Sequence, residues 1–472
     1  MSQICFQDLP TDILYAIVKW VIGGTLDIED VMFGAPDSRR QIEMLPWYLS
    51  AVCKSLARKT ASMSNLWTLL FIAFVPDEPF MVAQLIRLQC LAARAQSSPL
   101  HVYFSSAPLE HCDSYFTTLS WLSDILPRVQ TFAMWTMPSE EGKLGQSSPP
   151  IRLLQSRQKL PSLERLSLNT AAEISEDGRN LPPLVTAPNL RQLRLCGVPL
   201  AQLGAAHFRC LEQVDLVCCP VRLHHFGRIS TWWPDLVSLR LNVTASFEDS
   251  WMLDRLPVFP VTAGVTAPIP IGPFHSPHSF SGSDPCPPLR RLAQLSIEGP
   301  IGEYFYETME RSSLPALRQL RTSISLSSFS ALFFERAAPN IQDLTVAAYQ
   351  SYQTLHHVFP QHILRYTGSL QKLSFEDIWF EPGDLMAMSN ATVALQLEVL
   401  RFRNCRFVHS AKQELVAVLA QNSQSSRSSG TWSIRALHII QIDKTEHALP
   451  NHIIGQVENL VGEVIREDLV DF

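Results

Sequence analysis

The sequence predicts an α/β chain: an N-terminal helical segment followed by an irregular solenoid of short repeats. Three observations carry that expectation. The phrase Leu-x-x-Leu-x-Leu, with close apolar variants, recurs ten times between Leu163 and Ile439. Most copies begin 21 to 29 residues after the one before. Residues 6 to 71 instead carry apolar stripes at helical spacing.

Composition narrows the class before any element is placed. The 472 residues include 38 Lys and Arg against 44 Asp and Glu, a net charge of −6. Apolar residues make up 46%, enough for a sizeable core, and charged residues only 17%, against roughly 25% in an average globular protein. A slightly acidic balance speaks against a general nucleic-acid binder, which carries a basic excess. Glycine is scarce (19) and proline plentiful (33), so glycine-rich phosphate loops are not the organising theme. The longest strongly apolar run, Leu66 to Val75, is half of the ~20 residues a membrane span needs. Asp8 and Asp12 stand where a secretory leader requires an uncharged core, so the expected location is cytoplasmic or nuclear. Ten cysteines occur without a Cys-x-x-Cys pair, and they read as reduced thiols.

The N-terminal segment begins Leu9-Pro10, and Thr11 or Asp12 is placed to cap a helix. Ile13, Leu14, Ile17 and Val18 then form one apolar stripe. A polar loop from Gly23 to Glu43 follows, and Leu49 to Ala57 restarts a helix through Val52, Cys53 and Lys54. Leu66-Trp67 closes the unit, with a helix over Phe80–Arg94 and a strand over Leu100–Phe104 beyond it. The expected domains are 1–75, helical; 76–125, a connecting helix and strand; and 126–472, the solenoid.

The repeat phrase starts at Leu163, Leu190, Leu211, Leu236, Leu292, Leu317, Ile341, Leu370, Leu397 and Ile434, with an earlier copy at Val129. Its second and third apolar positions are two apart, so both face one side of a strand. One such strand cannot bury that face alone; stacked copies can. Ala411–Ala420 has helical spacing, and Tyr352–Tyr366 is read as helical with a break at Pro360. A 56-residue gap between copies holds a proline-rich insertion at 257–288, with nine prolines in 32 residues, which neither a helix nor an inner strand accommodates. Asn422–Gly430 reads as a polar surface loop. The spacing and phrase resemble leucine-rich repeats, although the Asn that follows the phrase in their consensus is mostly absent.

No phosphate loop, nucleophile elbow, zinc-protease helix or dinucleotide fingerprint is present. The histidines at 224–225, 275, 278, 356–357 and 362 lack a fixed frame of Cys or carboxylate partners, so neither a metal nor another cofactor is expected. Without catalytic residues to assign, the chain reads as a binding protein and not an enzyme. The strand positions flanking the inward leucines are Arg165, Arg194, Arg240, Arg321, Lys372, Arg401 and Arg403, with Asp215, Glu298, Asp343 and Glu376 among them. Seven basic against four acidic side chains would suit an acidic or phosphorylated target peptide.

The ordered set Leu9, Pro10, Ile13, Leu14, Ile17, Val52, Cys53, Lys54, Leu66 and Trp67 resembles the F-box. The loop between Gly23 and Glu43 is longer than in the compact form and resembles the expanded F-boxes common in mushroom-forming fungi. The resemblance covers about 65 residues and implies that Leu9, Pro10, Ile13, Leu14, Ile17, Val18, Leu49, Val52 and Cys53 meet a Skp-family adaptor, and a cullin through it. The solenoid would then hold a target protein for an SCF-type ubiquitin ligase. Taken by themselves, the same residues form an amphipathic hairpin whose stripe needs a partner, and the first repeats could supply it instead. The second reading is accordingly a leucine-rich scaffold or transcription-associated binding protein with a degenerate F-box, outside any ligase. Neither reading involves nucleic acid or membrane as a direct partner.

Overall fold

The computed structural model describes residues 10, 13, 46–74, 77–106, 113–136, 160–170, 187–197, 208–217, 219, 229, 232–242, 289–298, 313–323, 333–334, 339–348, 353–355, 367–386, 397–425, 434–441, 449–461 and 463–468. The proline-rich insertion and Leu9, Leu14, Ile17 and Val18 lie outside them. The chain divides into two compact units, Met1–Val221 and Arg222–Phe472.

In the first unit, a helical stretch at 46–52 is followed by α1 (Lys54–Ser62) and a 3-10 turn (Ser64–Trp67). The single helix expected over 49–57 is broken at Cys53, whose backbone is extended and whose Sγ accepts from the Leu56 N–H, making it the N-cap of α1. Trp67 is fully buried and donates from Nε1 to the Thr60 carbonyl at 2.9 Å. Trp47 meets it edge to face at 5.1 Å, and the Arg94 guanidinium lies 4.2 and 4.4 Å from the two ring centres. This cation–π stack ties the helical N-terminus to the end of α2 (Glu78–Arg94).

The strands are β1 (Leu69–Phe74), β2 (Leu100–Ser106), β3 (Val129–Thr136), β4 (Arg165–Thr170), β5 (Gln192–Cys196) and β6 (Gln213–Val217), with α3 (Asp113–Ile125) between β2 and β3. They lie side by side in sequence order and all pair in parallel. The order follows from the repeat: each rung returns by a crossover and re-enters in the same direction. β1 and β2 therefore belong to the same sheet as the repeat strands. On the free edge, Gln84 of α2 is buried, accepts from the Ala73 N–H and donates to the Ala73 carbonyl, both at 3.0 Å.

The second unit repeats the plan with β7 (Ser238–Asn242), β8 (Gln294–Glu298), β9 (Gln319–Thr322), β10 (Asp343–Ala347), β12 (Lys372–Glu376), β14 (Val399–Arg403), β16 (Ala436–Gln441) and β17 (Glu463–Asp468), again parallel and in order. Three short strands, β11 (Gln353–Thr354), β13 (Ile378–Phe380) and β15 (Arg406–Phe407), form a second parallel sheet. Within the expected helix 352–366, Gln353–Thr354 is thus strand, and 356–366 lie outside the described residues. The helix expected at 411–420 is α4 (His409–Ser425), which also takes up the first residues of the polar tract read as a loop; Asn, Gln and Ser are tolerated in a last helical turn. A shorter helix, α5 (Asn451–Glu458), precedes β17.

The rungs bury what the phrase promised. Leu163, Leu190, Leu211, Leu236, Leu292, Leu317, Ile341, Leu370 and Leu397 are all sealed from solvent, as are the two apolar residues inside each strand from β4 to β8. Before most rungs the chain makes one turn, closed by a bond from the phrase's first N–H to the carbonyl three residues back, as in Leu163→Leu160, Leu190→Ala187 and Leu317→Leu314. Proline at the second turn position (Pro161, Pro188, Pro234, Pro315) presets its φ. Asn189 and Asn340 reach back to the Pro161 and Pro315 carbonyls, at 2.7 and 3.0 Å, stitching each turn to its predecessor.

After β6 and β14 a buried thiol takes the place of the consensus Asn. Cys219 Sγ donates to the Leu195 carbonyl at 3.2 Å and Cys405 Sγ to the Phe375 carbonyl at 3.3 Å, each bond crossing to the preceding rung. Asp377 and Asn404 turn the corner from the large sheet to the small one with φ of 57° and 50°, a conformation Asn and Asp tolerate best among residues with side chains. Phe375 and Phe402 on one sheet and Phe380 and Phe407 on the other form a four-ring cluster, with Phe380 and Phe407 stacked at 4.9 Å.

Candidate functional site

Two surfaces of the first unit bear on function. At the N-terminus, Ile13, Tyr48 and Val52 are 45%, 56% and 69% exposed, although all three are apolar or aromatic. Pro10 is exposed, and Leu49 and Cys53 are half-buried. Tyr48 and Val52, four residues apart on the helical stretch, expose apolar surface on one face, as contact sites do. Leu66 and Trp67, the closing residues of the same pattern, are buried, with Trp67 packed on Trp47 and Arg94.

The sheet face opposite the repeat leucines carries a largely buried aromatic cluster at one end and charged residues at the other. Phe71 and Tyr103 stack at 5.0 Å and 18°, with Leu69, Ala133 and Trp135 packed beside them. Burial pushes the Tyr103 hydroxyl up to about 12, against a smaller opposing pull from Arg165. His101 shares a 3.0 Å hydrogen bond with Thr131 Oγ1, and its pKa is lowered first by burial, then by Arg165, with Glu164 opposing. Farther along, Arg194 faces Asp215 at 3.6 Å.

In the second unit the strand residues at first, third and fifth positions line a polar face, and register decides which of them meet. Glu298 at the end of β8 lies 3.5 Å from Arg240, accepts from Arg321 Nε at 3.1 Å and accepts from Asn242 Nδ2 at 3.0 Å. Arg321 also spans β10 to reach Glu376 on β12 at 2.7 Å. The β10 residue in register with Glu376 is Ala347, whose methyl leaves that path open. Arg403 approaches Glu376 from the other side at 3.8 Å. The result is an alternating chain, Arg240–Glu298–Arg321–Glu376–Arg403, across β7 to β14. Its carboxylates are the deeper members: the side chains of Glu298 and Glu376 are 17% and 7% exposed. Lys372 pairs with Asp343 at 3.0 Å.

Of the seven basic residues read from the sequence, Arg194, Arg240, Arg321, Lys372 and Arg403 are thus each partnered by an acidic residue on an adjacent strand. Arg165 is exposed beside the aromatic end of the first unit's face. Arg401 stands apart, half-buried, with no ion pair among the described residues and with Nε enclosed and lacking an acceptor. Ser374, in register beside it on β12, is 1% exposed, and its Oγ also has no partner. Ser296 Oγ on β8 is a further enclosed hydroxyl without one. The charged residues of this face are visible in the sequence, but their pairs are not, because pairing depends on strand register.

Among the described residues, no group of three or more His, Cys, Asp or Glu is placed to hold a metal ion, and no helix is long and apolar enough to cross a membrane. The seven histidines singled out in the sequence lie outside the described residues. Compared with known proteins, the chain matches no protein-family model and no curated protein at a significant level.

Proposed function

We propose that this chain is the substrate-recognition subunit of an SCF-type ubiquitin ligase, working in the cytoplasm or nucleus. Its N-terminal segment would hold a Skp-family adaptor, and a cullin through it, while the outward sheet faces hold a target protein. The observation that carries the reading is the exposure of Ile13, Tyr48 and Val52 on the segment that resembles the F-box, two of them at positions the resemblance assigns to the adaptor. Helix-in-groove docking uses such apolar anchors, each worth roughly 1.5–3 kcal/mol of burial before the costs of association. The parallel sheets supply a broad, regular surface whose side chains can vary without disturbing the rungs beneath. The chain would perform no covalent chemistry; it raises the target's effective concentration at the ubiquitin-charged enzyme.

The test is a pull-down of the full chain and of its Leu9→Ala, Pro10→Ala, Ile13→Ala variant, probed for adaptor and cullin. Capture by the native chain and loss in the variant support the ligase reading. A folded native chain that captures neither moves the assignment to a scaffold whose N-terminal helices serve only the fold.

A further inference from the structure

On the second unit's polar face, from β7 to β14, five basic side chains (Arg240, Arg321, Lys372, Arg401, Arg403) meet three acidic ones (Glu298, Asp343, Glu376). All three carboxylates are engaged by the partners described above. The surplus positive charge is therefore not spread evenly. Half of it is carried by Arg401, which pairs with no carboxylate among the described residues; the other half is shared by the three arginines that hold the two glutamates. The neighbouring strand presents the Ser374 hydroxyl at the same register, buried and without a partner. Lys372 lies two residues before Ser374 on its strand, and Arg403 two residues after Arg401, so both share this face.

Enclosed donors without acceptors are costly, at roughly 1–3 kcal/mol each, and call for an acceptor from water, an ion or a ligand. An acceptor placed between Arg401 and Ser374 would need two oxygens and negative charge. One oxygen would take the guanidinium N–H and the other the serine O–H. A carboxylate meets both conditions with one planar group.

We propose that Arg401 and Ser374 form an anchor for a carboxylate side chain of an acidic peptide segment in the target protein. This rests on the reading that the sheet face holds the target, and it names the chemistry the target must offer. The carboxylate completes two donors that the fold leaves without acceptors, and the Arg–Glu chain lies beside them.

The test is fluorescence anisotropy with the full chain and a short labelled peptide alternating glutamate with serine. Companion peptides replace each glutamate with glutamine, or with glutamine and each serine with phosphoserine. The glutamate peptide is expected to bind and the glutamine peptide not. Arg401→Gln should weaken binding about tenfold or more, the scale of one charge-assisted hydrogen bond. Arg401→Lys, which keeps the charge but loses the fork, should fall between, and Ser374→Ala should weaken binding several-fold. Circular dichroism on each variant shows that it is folded. Equal capture of the glutamine peptide, undiminished binding by folded Arg401→Gln, or no binding by the native chain overturns the proposal. A strong preference for the phosphoserine peptide overturns the carboxylate assignment in favour of phosphate. Adaptor capture, measured on the same proteins, is independent of these results, so failure of the anchor and failure of the ligase reading are told apart.

Discussion

Replacing Arg321 with Met should destabilise the second unit by about 2 kcal/mol, a value set between the limits for buried and exposed ion pairs. Arg321 is the only basic residue in contact with both acids of the Arg–Glu chain among the described residues. Glu298 would keep Arg240 at 3.5 Å and Asn242 at 3.0 Å. Glu376, nearly buried, would keep only Arg403 at 3.8 Å. Stranding a fully buried charge costs roughly 3–5 kcal/mol, and losing an exposed pair about 0.2–1 kcal/mol. The Arg321 side chain is 38% exposed and Arg403 remains, so the cost falls between the two. Methionine keeps the apolar stem and removes only the guanidinium. The assay is urea denaturation of both proteins, with hydrogen exchange read over β9 to β14 so that the loss is assigned to this unit. Adding Glu376→Gln to Arg321→Met should recover at least half of the loss, because a neutral amide no longer strands a charge. A loss below about 0.5 kcal/mol, the scale of an ordinary surface substitution, or no recovery in the double variant, would refute the view that Arg321 neutralises Glu376.

Two other predictions follow from buried titrating groups. The pKa of His101 is held below its unfolded value of about 6.5, so protonation favours the unfolded chain; the first unit should be fully stable above that pH and lose stability as pH falls from there through the folded value. His101→Gln should flatten the fall of the urea midpoint below about pH 6.5, and an unchanged slope would show that other groups govern it. Burial pushes the Cys405 thiol up and out of the reactive range, so native protein should be labelled by a thiol reagent at the exposed Cys90 and Cys210 and not at Cys405 until it unfolds. Peptide mapping of the labelled sites decides that point.

The rungs were legible in the sequence because strand burial has a period of two and the phrase repeats it without ambiguity. Leu193 and Leu195, or Leu239 and Leu241, could face only one way. The turns were half legible: the Pro before many phrases was visible, but the Asn-to-carbonyl stitches from Asn189 and Asn340 join residues 28 and 25 apart. The thiol bonds of Cys219 and Cys405 were missed, although both cysteines stand three residues after the last apolar position of their phrase, where the consensus permits Cys as well as Asn. Two copies made too faint a signal beside eight without it. The break at Cys53 was also hidden, since a thiol is a rare helix cap and Val52-Cys53-Lys54 reads as continuous helix. The charged face gave up its members but not its order. Arg321 and Glu376 are separated by an intervening strand, and nothing in a linear reading joins them.

A sheet assembled from like rungs contains no internal instruction to stop. Its first strand would accept another as readily as its own second strand accepts its third. At β1 the instruction is a side chain from elsewhere: both polar groups of the Ala73 peptide backbone are already occupied by the amide of Gln84. Any strand arriving there, from a duplicated repeat or a neighbouring molecule, must first evict that amide and leave it buried without partners. Copy number in such a protein can therefore drift in the interior of the array, where a rung may be gained or lost between two like neighbours, while its beginning stays fixed. A change in repeat count would lengthen the sheet face without altering the strand at which the array begins.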